Sequence, residues 1–279
     1  MKSIIIFILL SGFALQVSAQ KKRSSWRNEW RNNIIKIDED LLANSEGFRY
    51  VRSKGGRAFP FWNMGDYVVI DSKQIRPIRN VLDFRPVFIS EIFVERDFRA
   101  SAFHYSTQGP DGYGSVTKLV YQNYWERSNT EILGFKAPYR EFSVTMTAEI
   151  LPNTNQGMWR IESTHSYGTK LKDKGYVDFF GYIYNQQDTI SVALVYDLND
   201  SSDFIFRRDV SHFVGYHFIH QGRQVAALQL SEDVTLVPKV WLHRNIPLHV
   251  RHAVGTALPA FLEMTDWIRS RWAEVDNDD

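Results

Sequence analysis

Between Asp66 and His243 the chain runs in short segments rich in Val, Ile, Phe, Tyr and Thr, separated by Gly, Pro, Asn and Asp clusters, with no long helical pattern between them. Parallel strands need crossover connections, usually helices, and these connections are turns, so the segments predict a sequential antiparallel sheet. Glu141 to Leu151 shows the pattern most cleanly. Phe142, Val144, Met146, Ala148 and Ile150 fall on one face, and Ser143, Thr145, Thr147 and Glu149 on the other, as expected of a strand with one face in a core and one face polar. Thr189 to Leu198 repeats it, with Ile190, Val192, Leu194, Tyr196 and Leu198 inward. Turns are predicted at Gln108–Gly112, Asn153–Gly157, Asn199–Ser201 and Gln221-Gly222.

Both ends of the mature chain carry helical periodicity instead. Trp26, Trp30, Ile34, Ile37 and Leu41 recur at three- and four-residue steps, with Ser24 or Ser25 placed to cap them. Val254, Ala257, Leu258, Phe261, Met264, Ile268 and Trp272 trace one face of a second helix, for which Thr256 as N-cap would put Pro259 in the first turn. The expected fold is mainly β, an antiparallel β-sandwich or barrel with an amphipathic helix near each end of the mature chain. The expected division is a signal peptide over 1–19, a basic and aromatic helix and loop over 20–57, an antiparallel β domain over 58–250, and a C-terminal helix with an acidic tail over 251–279, packed on the β domain.

Lys2, the apolar run from Ile4 to Leu10 and the small residues of Val17-Ser18-Ala19 have the layout of a cleaved signal peptide, which leaves about 260 of the 279 residues in the mature chain. The run is too short, and too interrupted by Gly12 and Gln16, for a membrane anchor, and no later segment predicts a transmembrane span. Export places the protein in the periplasm, at an outer membrane or outside the cell. The chain has no cysteine, so its stability must come from its core, and cysteine nucleophiles and thiolate metal sites are excluded. Lys+Arg 33 against Asp+Glu 32 gives a nearly neutral protein, which does not point to nucleic acid. The charge is uneven, basic from Lys21 to Lys36 and acidic from Glu274 to Asp279.

Phosphate loops, dinucleotide fingerprints, nucleophile elbows and zinc helices are absent, and no cofactor is implied. His212, His217 and His220 cluster in sequence, but in a strand His212 and His220 stand about 26 Å apart and His217 faces the other way, so no metal site is assigned. The Asn153–Gly157 turn folds Glu141–Leu151 back on Met158–His165. Matching polar face to polar face sets Glu149 opposite Arg160, Thr147 opposite Glu162 and Thr145 opposite Thr164, with Ile150 meeting Trp159 and Ala148 meeting Ile161. Glu149 and Glu162 then become diagonal neighbours about 5.5–8 Å apart, a separation that overlaps that of glycosidase carboxylate pairs, and they are the candidate catalytic residues. An exposed Glu149–Arg160 ion pair explains the same pattern without catalysis.

Aromatic residues make up 14% of the chain and concentrate near turns and on strand faces. Tyr176, Asp178, Phe180, Tyr182 and Tyr184 share one side of a strand, opposite Val177, Phe179 and Ile183. Aromatic faces stack on sugar rings and lipid chains, so Tyr176, Asp178, Tyr182 and Tyr184 are the candidate ligand-binding residues. The function read from the sequence is a non-enzymatic envelope component binding a glycan, lipid or envelope protein. The alternatives are a secreted polysaccharide hydrolase or lyase, and an adaptor docking through its terminal helices. Oligomeric state is not encoded in any of these patterns.

Overall fold

The structure, a computed structural model, describes residues 35–45, 47–53, 59–82, 85–86, 92–132, 135–155, 157–169, 176–196, 213–230 and 238–276. The signal segment, the Trp26 and Trp30 positions and the Asn199–Ser201 turn lie outside them. The strands are β1 (Phe48–Arg49), β2 (Val51–Ser53), β3 (Phe61–Met64), β4 (Tyr67–Leu82), β5 (Arg85–Pro86), β6 (Ile92–Gln108), β7 (Gly114–Ile132), β8 (Phe135–Pro152), β9 (Trp159–Thr169), β10 (Tyr176–Tyr184), β11 (Thr189–Tyr196), β12 (Phe213–His220), β13 (Arg223–Gln229) and β14 (Lys239–Leu242), flanked by helices α1 (Glu39–Asn44) and α2 (Leu248–Asp276).

Thirteen strands form one antiparallel path, β1-β14-β13-β12-β11-β10-β9-β8-β7-β6-β4-β3-β2, with β5 pairing beside β6. The two edges of this sheet are consecutive in sequence. Phe48 and Arg49 pair with β14, and one residue later Val51 to Ser53 pair with β3, so a single stretch of chain brings the sheet's ends together into a nearly closed barrel. The β8–β9 pairing has the register expected from the polar faces, including Glu149 with Arg160, Thr147 with Glu162 and Ile150 with Trp159.

Around α2 the barrel is filled. α2 reaches β4, β7, β8, β10, β13 and β14, strands spread around the sheet, and every residue from His252 to Thr265 is buried. The helix expected near the C-terminal end, with Val254, Ala257, Phe261 and Met264 on one face, is present, and over His252–Thr265 it is covered on its remaining faces as well, as a helix inside a core must be. Its other faces carry Ala253, Gly255, Thr256, Ala260 and Thr265, small residues against which inward aromatic side chains of the wall close up. Thr256 is not the N-cap: the helix begins at Leu248 and Pro259 stands in its interior, where the ring withholds one backbone N–H.

Tyrosines of the wall hydrogen-bond this helix along its length. The Tyr105 hydroxyl donates to the Thr256 carbonyl at 2.8 Å and that of Tyr121 to the Ala260 carbonyl at 2.6 Å, on either side of Pro259. Thr265 donates its hydroxyl proton to the Phe261 carbonyl, so the Tyr216 hydroxyl, 2.9 Å away, donates to Thr265. Trp62 Nε1 donates to Glu263 at 3.1 Å. Burial of these phenols without an opposite charge pushes the Tyr121 hydroxyl well above its usual range. Gly255 lets the helix approach most closely: a Cβ there would lie 2.6 Å from three atoms of the Tyr67 ring, itself fully buried. Gly255→Ala should therefore destabilise by about 1 kcal/mol or more in urea unfolding, the overpacking outweighing the helix-propensity gain of alanine. An unchanged or raised midpoint would show that Tyr67 does not seat the helix.

The outside of the barrel is covered in one sector only, among the described residues, by the chain entering from residue 35. Ile35 and Leu41 pack with Val195, Val214, Ala227 and Trp241, which is why β12 is largely buried on both faces. The helical phase drawn through Ile37 and Leu41 breaks between them. Asp38 is extended and its N–H donates to Gln224 Oε1 at 2.7 Å, so α1 starts only at Glu39.

Candidate functional site

In a meander, alternate turns collect at the same end. The turns after β8 and β10 and the start of α2 meet at one mouth of the barrel, where they line a cleft of about 670 Å³, and the turn after β12 lies at the same end. Each contributor is shaped locally. After β10, the Asn185 side-chain oxygen accepts from the N–H groups of Gln187 (2.8 Å) and Asp188 (2.7 Å), and Asn185 N–H donates to the Asp188 carbonyl, a tight turn that presents Asp188 inward and Gln186 and Gln187 to the cleft. After β12, Gln221 and Gly222 both have positive φ, the geometry of a two-residue hairpin, and this leaves His220 at the last strand position. The first turn of α2 supplies Leu248 and His249.

Asp188 joins these pieces. Its two oxygens accept from His220 Nε2 at 2.8 Å and His249 Nε2 at 2.9 Å. Burial works to raise the Asp188 pKa, and the two imidazole hydrogen bonds more than offset it, so the carboxyl is held below its usual value as an acceptor. Both rings are thereby fixed with a proton on Nε2. Trp159 lies over His249, with ring centroids 6.2 Å apart. His220 is buried behind the cleft, whereas His249 is about one-third exposed and lines it with Asn155, Met158, Arg160, Tyr184, Gln186 and Gln187. No group of three or more His, Asp or Glu side chains is arranged to hold a metal ion among the described residues.

Glu149 and Glu162 stand on the outer wall. Glu149 is half-buried and Glu162 exposed, in a shallow depression of about 470 Å³ with His104, Lys118 and Arg160. The expected Glu149–Arg160 ion pair does not form, although the two are cross-strand partners. Instead Arg160 lies near the Tyr184 hydroxyl, and that hydroxyl donates to Glu162 at 2.5 Å. The bond to Glu162 raises the Tyr184 pKa and the nearby Arg160 opposes it. Arg160 lines both the depression and the cleft, so the two concavities adjoin. Tyr182 and Phe180 continue outward from Tyr184 along β10, 43% and 45% exposed, with centroids 6.4 Å apart. Tyr176 and Asp178 belong to the same strand, paired with Gly168 and Ser166; their side chains lie outside the described residues.

Sequence reasoning paired Glu149 with Glu162 and set Tyr182 and Tyr184 on one side of another strand without joining the two groups, which the Tyr184–Glu162 bond brings onto adjoining wall, and it missed Asp188. The signal for Asp188 was its position at the end of an Asn-Gln-Gln-Asp turn, at the barrel end shared with Gln221-Gly222. Among the described residues no helix is long and apolar enough to cross a membrane. No family model, curated protein or solved structure matches this chain.

Proposed function

We propose that this is an exported, non-enzymatic binding protein for a saccharide chain, held in the mouth cleft and along the adjoining β10 wall. The observation that carries the reading is the filled barrel. With α2 in the interior, the polar cleft at the mouth and the adjoining wall depression are concavities of ligand size, and the cleft continues past Tyr184 onto exposed aromatic rings rather than into an apolar tunnel suited to a lipid chain. Amides of Asn155, Gln186 and Gln187, the Arg160 guanidinium and the Tyr184 hydroxyl supply directional partners for sugar hydroxyls. Tyr182 and Phe180, one and two same-face positions further along the strand from Tyr184, supply faces for ring stacking.

The hydrolase or lyase alternative draws less support from this arrangement, because Glu149 and Glu162 stand on an open wall that excludes little water and Glu162 is already engaged by Tyr184. Docking through the C-terminal helix is likewise disfavoured, since Phe261 is fully buried.

Isothermal titration of the purified protein against oligosaccharide panels and lipid vesicles tests the reading. Saccharide binding that weakens at least about tenfold in a Phe180→Ala/Tyr182→Ala variant is expected. Binding to vesicles alone, or saccharide binding indifferent to these rings and to Tyr184→Ala, would remove it.

A further inference from the structure

We propose that the saccharide in the mouth cleft is uncharged and that one of its hydroxyl groups donates to Nδ1 of His249; this rests on the reading of the cleft as a saccharide site. The Asp188 carboxylate decides which nitrogen of the ring is left for a ligand. Its two oxygens lie 2.8 Å from His220 Nε2 and 2.9 Å from His249 Nε2, and oxygens that only accept require a proton on each of those nitrogens. A neutral imidazole carries a single N–H, so Nδ1 of His249 is a bare acceptor. A free imidazole exchanges its tautomers to suit a partner. This one cannot do so without giving up its bond to Asp188, a mostly buried carboxylate. Nδ1 has no hydrogen-bond partner among the described residues and is not closed off from solvent, and the ring that carries it lines the cleft.

Charge in the cleft points the same way. A lone pair at Nδ1 repels an oxyanion. Arg160 donates to the Tyr184 hydroxyl, that hydroxyl donates to Glu162, and Glu149 stands across the ladder from Arg160, so the one permanent cation among the described lining residues is already set among acidic groups. A cationic ligand would find no carboxylate among those lining residues. What fits is a neutral group that brings its own proton. A hydroxyl suits the place better than an amide N–H, because after donating to Nδ1 its oxygen still accepts from the side-chain amides of Gln186 and Gln187 in the same cleft.

Two measurements on the full purified protein test it. Nitrogen-15 NMR of histidine-labelled protein at pH 8, with the His249 signals assigned by their loss in His249→Gln, should show the proton on Nε2, and added saccharide should move the Nδ1 resonance. Calorimetric titration with neutral cello-, malto-, xylo- and galacto-oligosaccharides and an acidic oligogalacturonide should find a neutral probe the tightest. That probe is then compared with analogues in which one hydroxyl is replaced by fluorine, which nearly conserves size and removes the donor proton. One analogue should bind about five- to tenfold more weakly than its parent sugar. The penalty should vanish in His249→Gln, whose amide nitrogen still reaches Asp188 but which has no acceptor in the place of Nδ1, with circular dichroism confirming its fold. A proton on Nδ1, an Nδ1 resonance unmoved by the sugar, tightest binding of the oligogalacturonide, or equal fluorine penalties in His249→Gln and the parent protein overturns the hydroxyl assignment and leaves the saccharide reading standing. Failure of every oligosaccharide to bind overturns both.

Discussion

Replacing Phe261 with alanine should lower the unfolding free energy by about 3–5 kcal/mol, the largest effect expected of any single truncation of α2. Phe261 is fully buried at the middle of the helix, with its ring 5.3 Å from Tyr216 and 5.4 Å from Phe218. The size of the loss depends on how far the surroundings relax into the space left behind. Here the surroundings are a wall of strands hydrogen-bonded in series around the helix, and a wall of that kind cannot close on a void without breaking its own ladder. The loss should therefore fall toward the upper part of the range. Leu248→Ala, at an exposed position of the same helix, should stay within about 0.5 kcal/mol. Urea unfolding of the two variants checks both, and a Phe261→Ala midpoint close to that of Leu248→Ala would mean that α2 is not the core of the barrel.

The helix is also where the sequence was least legible. The stripe Val254, Ala257, Phe261, Met264 and Ile268 satisfies a surface helix packed on a sheet, and nothing in its spacing asks for more. What distinguishes an enclosed helix is the content of the opposite faces, and here these hold glycine, alanine and threonine, which a count of large apolar residues passes over. Their meaning depends on Tyr67, Tyr105, Tyr121 and Tyr216, which come from distant strands and bring hydroxyls to helix groups. The β8–β9 pairing was legible for the converse reason. A five-residue turn and two alternating faces constrain the same register independently, and a slip of one residue would bury Glu149 and expose Ile150. The Asp188 cluster falls between these cases. Its members are 32 and 61 residues apart, so no local pattern joins them. Only the rule that alternate turns of a meander share one end brings the β10–β11 turn beside His220, and the rule says nothing of the helix that returns to supply His249.

Acid should destabilise the protein well above the range in which its carboxylates are neutralised. His165 is fully buried on β9 between Phe179 and Phe213, and neither ring nitrogen has a partner among the described residues; burial brings its pKa down to about 4. His252, buried on α2, is stacked on Tyr113 at 3.8 Å with Nδ1 2.8 Å from the Tyr67 hydroxyl, and burial followed by the nearby Arg251 brings it to about 4 as well. An unfolded histidine takes its proton near pH 6.5, so between pH 6.5 and 4 the unfolded chain binds protons that the folded chain refuses, and stability falls with pH. Each ring accounts for a loss on the order of 3 kcal/mol by pH 4. Glu263 works the other way. Burial, followed by the nearby Asp266, raises its pKa to about 7, so the folded state takes up that proton first and gains stability on the order of 3 kcal/mol as pH falls from 7 to 4.5. Asp40 and Asp188, with lowered pKa values, contribute only at still lower pH, whereas the lowered values of His217 and His243 add to the loss. Two histidines against one glutamate leave a net loss on the order of 3 kcal/mol at pH 4. Thermal unfolding followed by circular dichroism from pH 7 to 4 measures it. His165→Phe, which replaces two unpartnered nitrogens with a ring suited to its aromatic neighbours, should be at least as stable at pH 7 and should flatten most of the decline. Glu263→Gln should steepen the decline by removing the opposing gain. Equal declines in the parent protein and in His165→Phe would show that this ring is not held neutral by its burial.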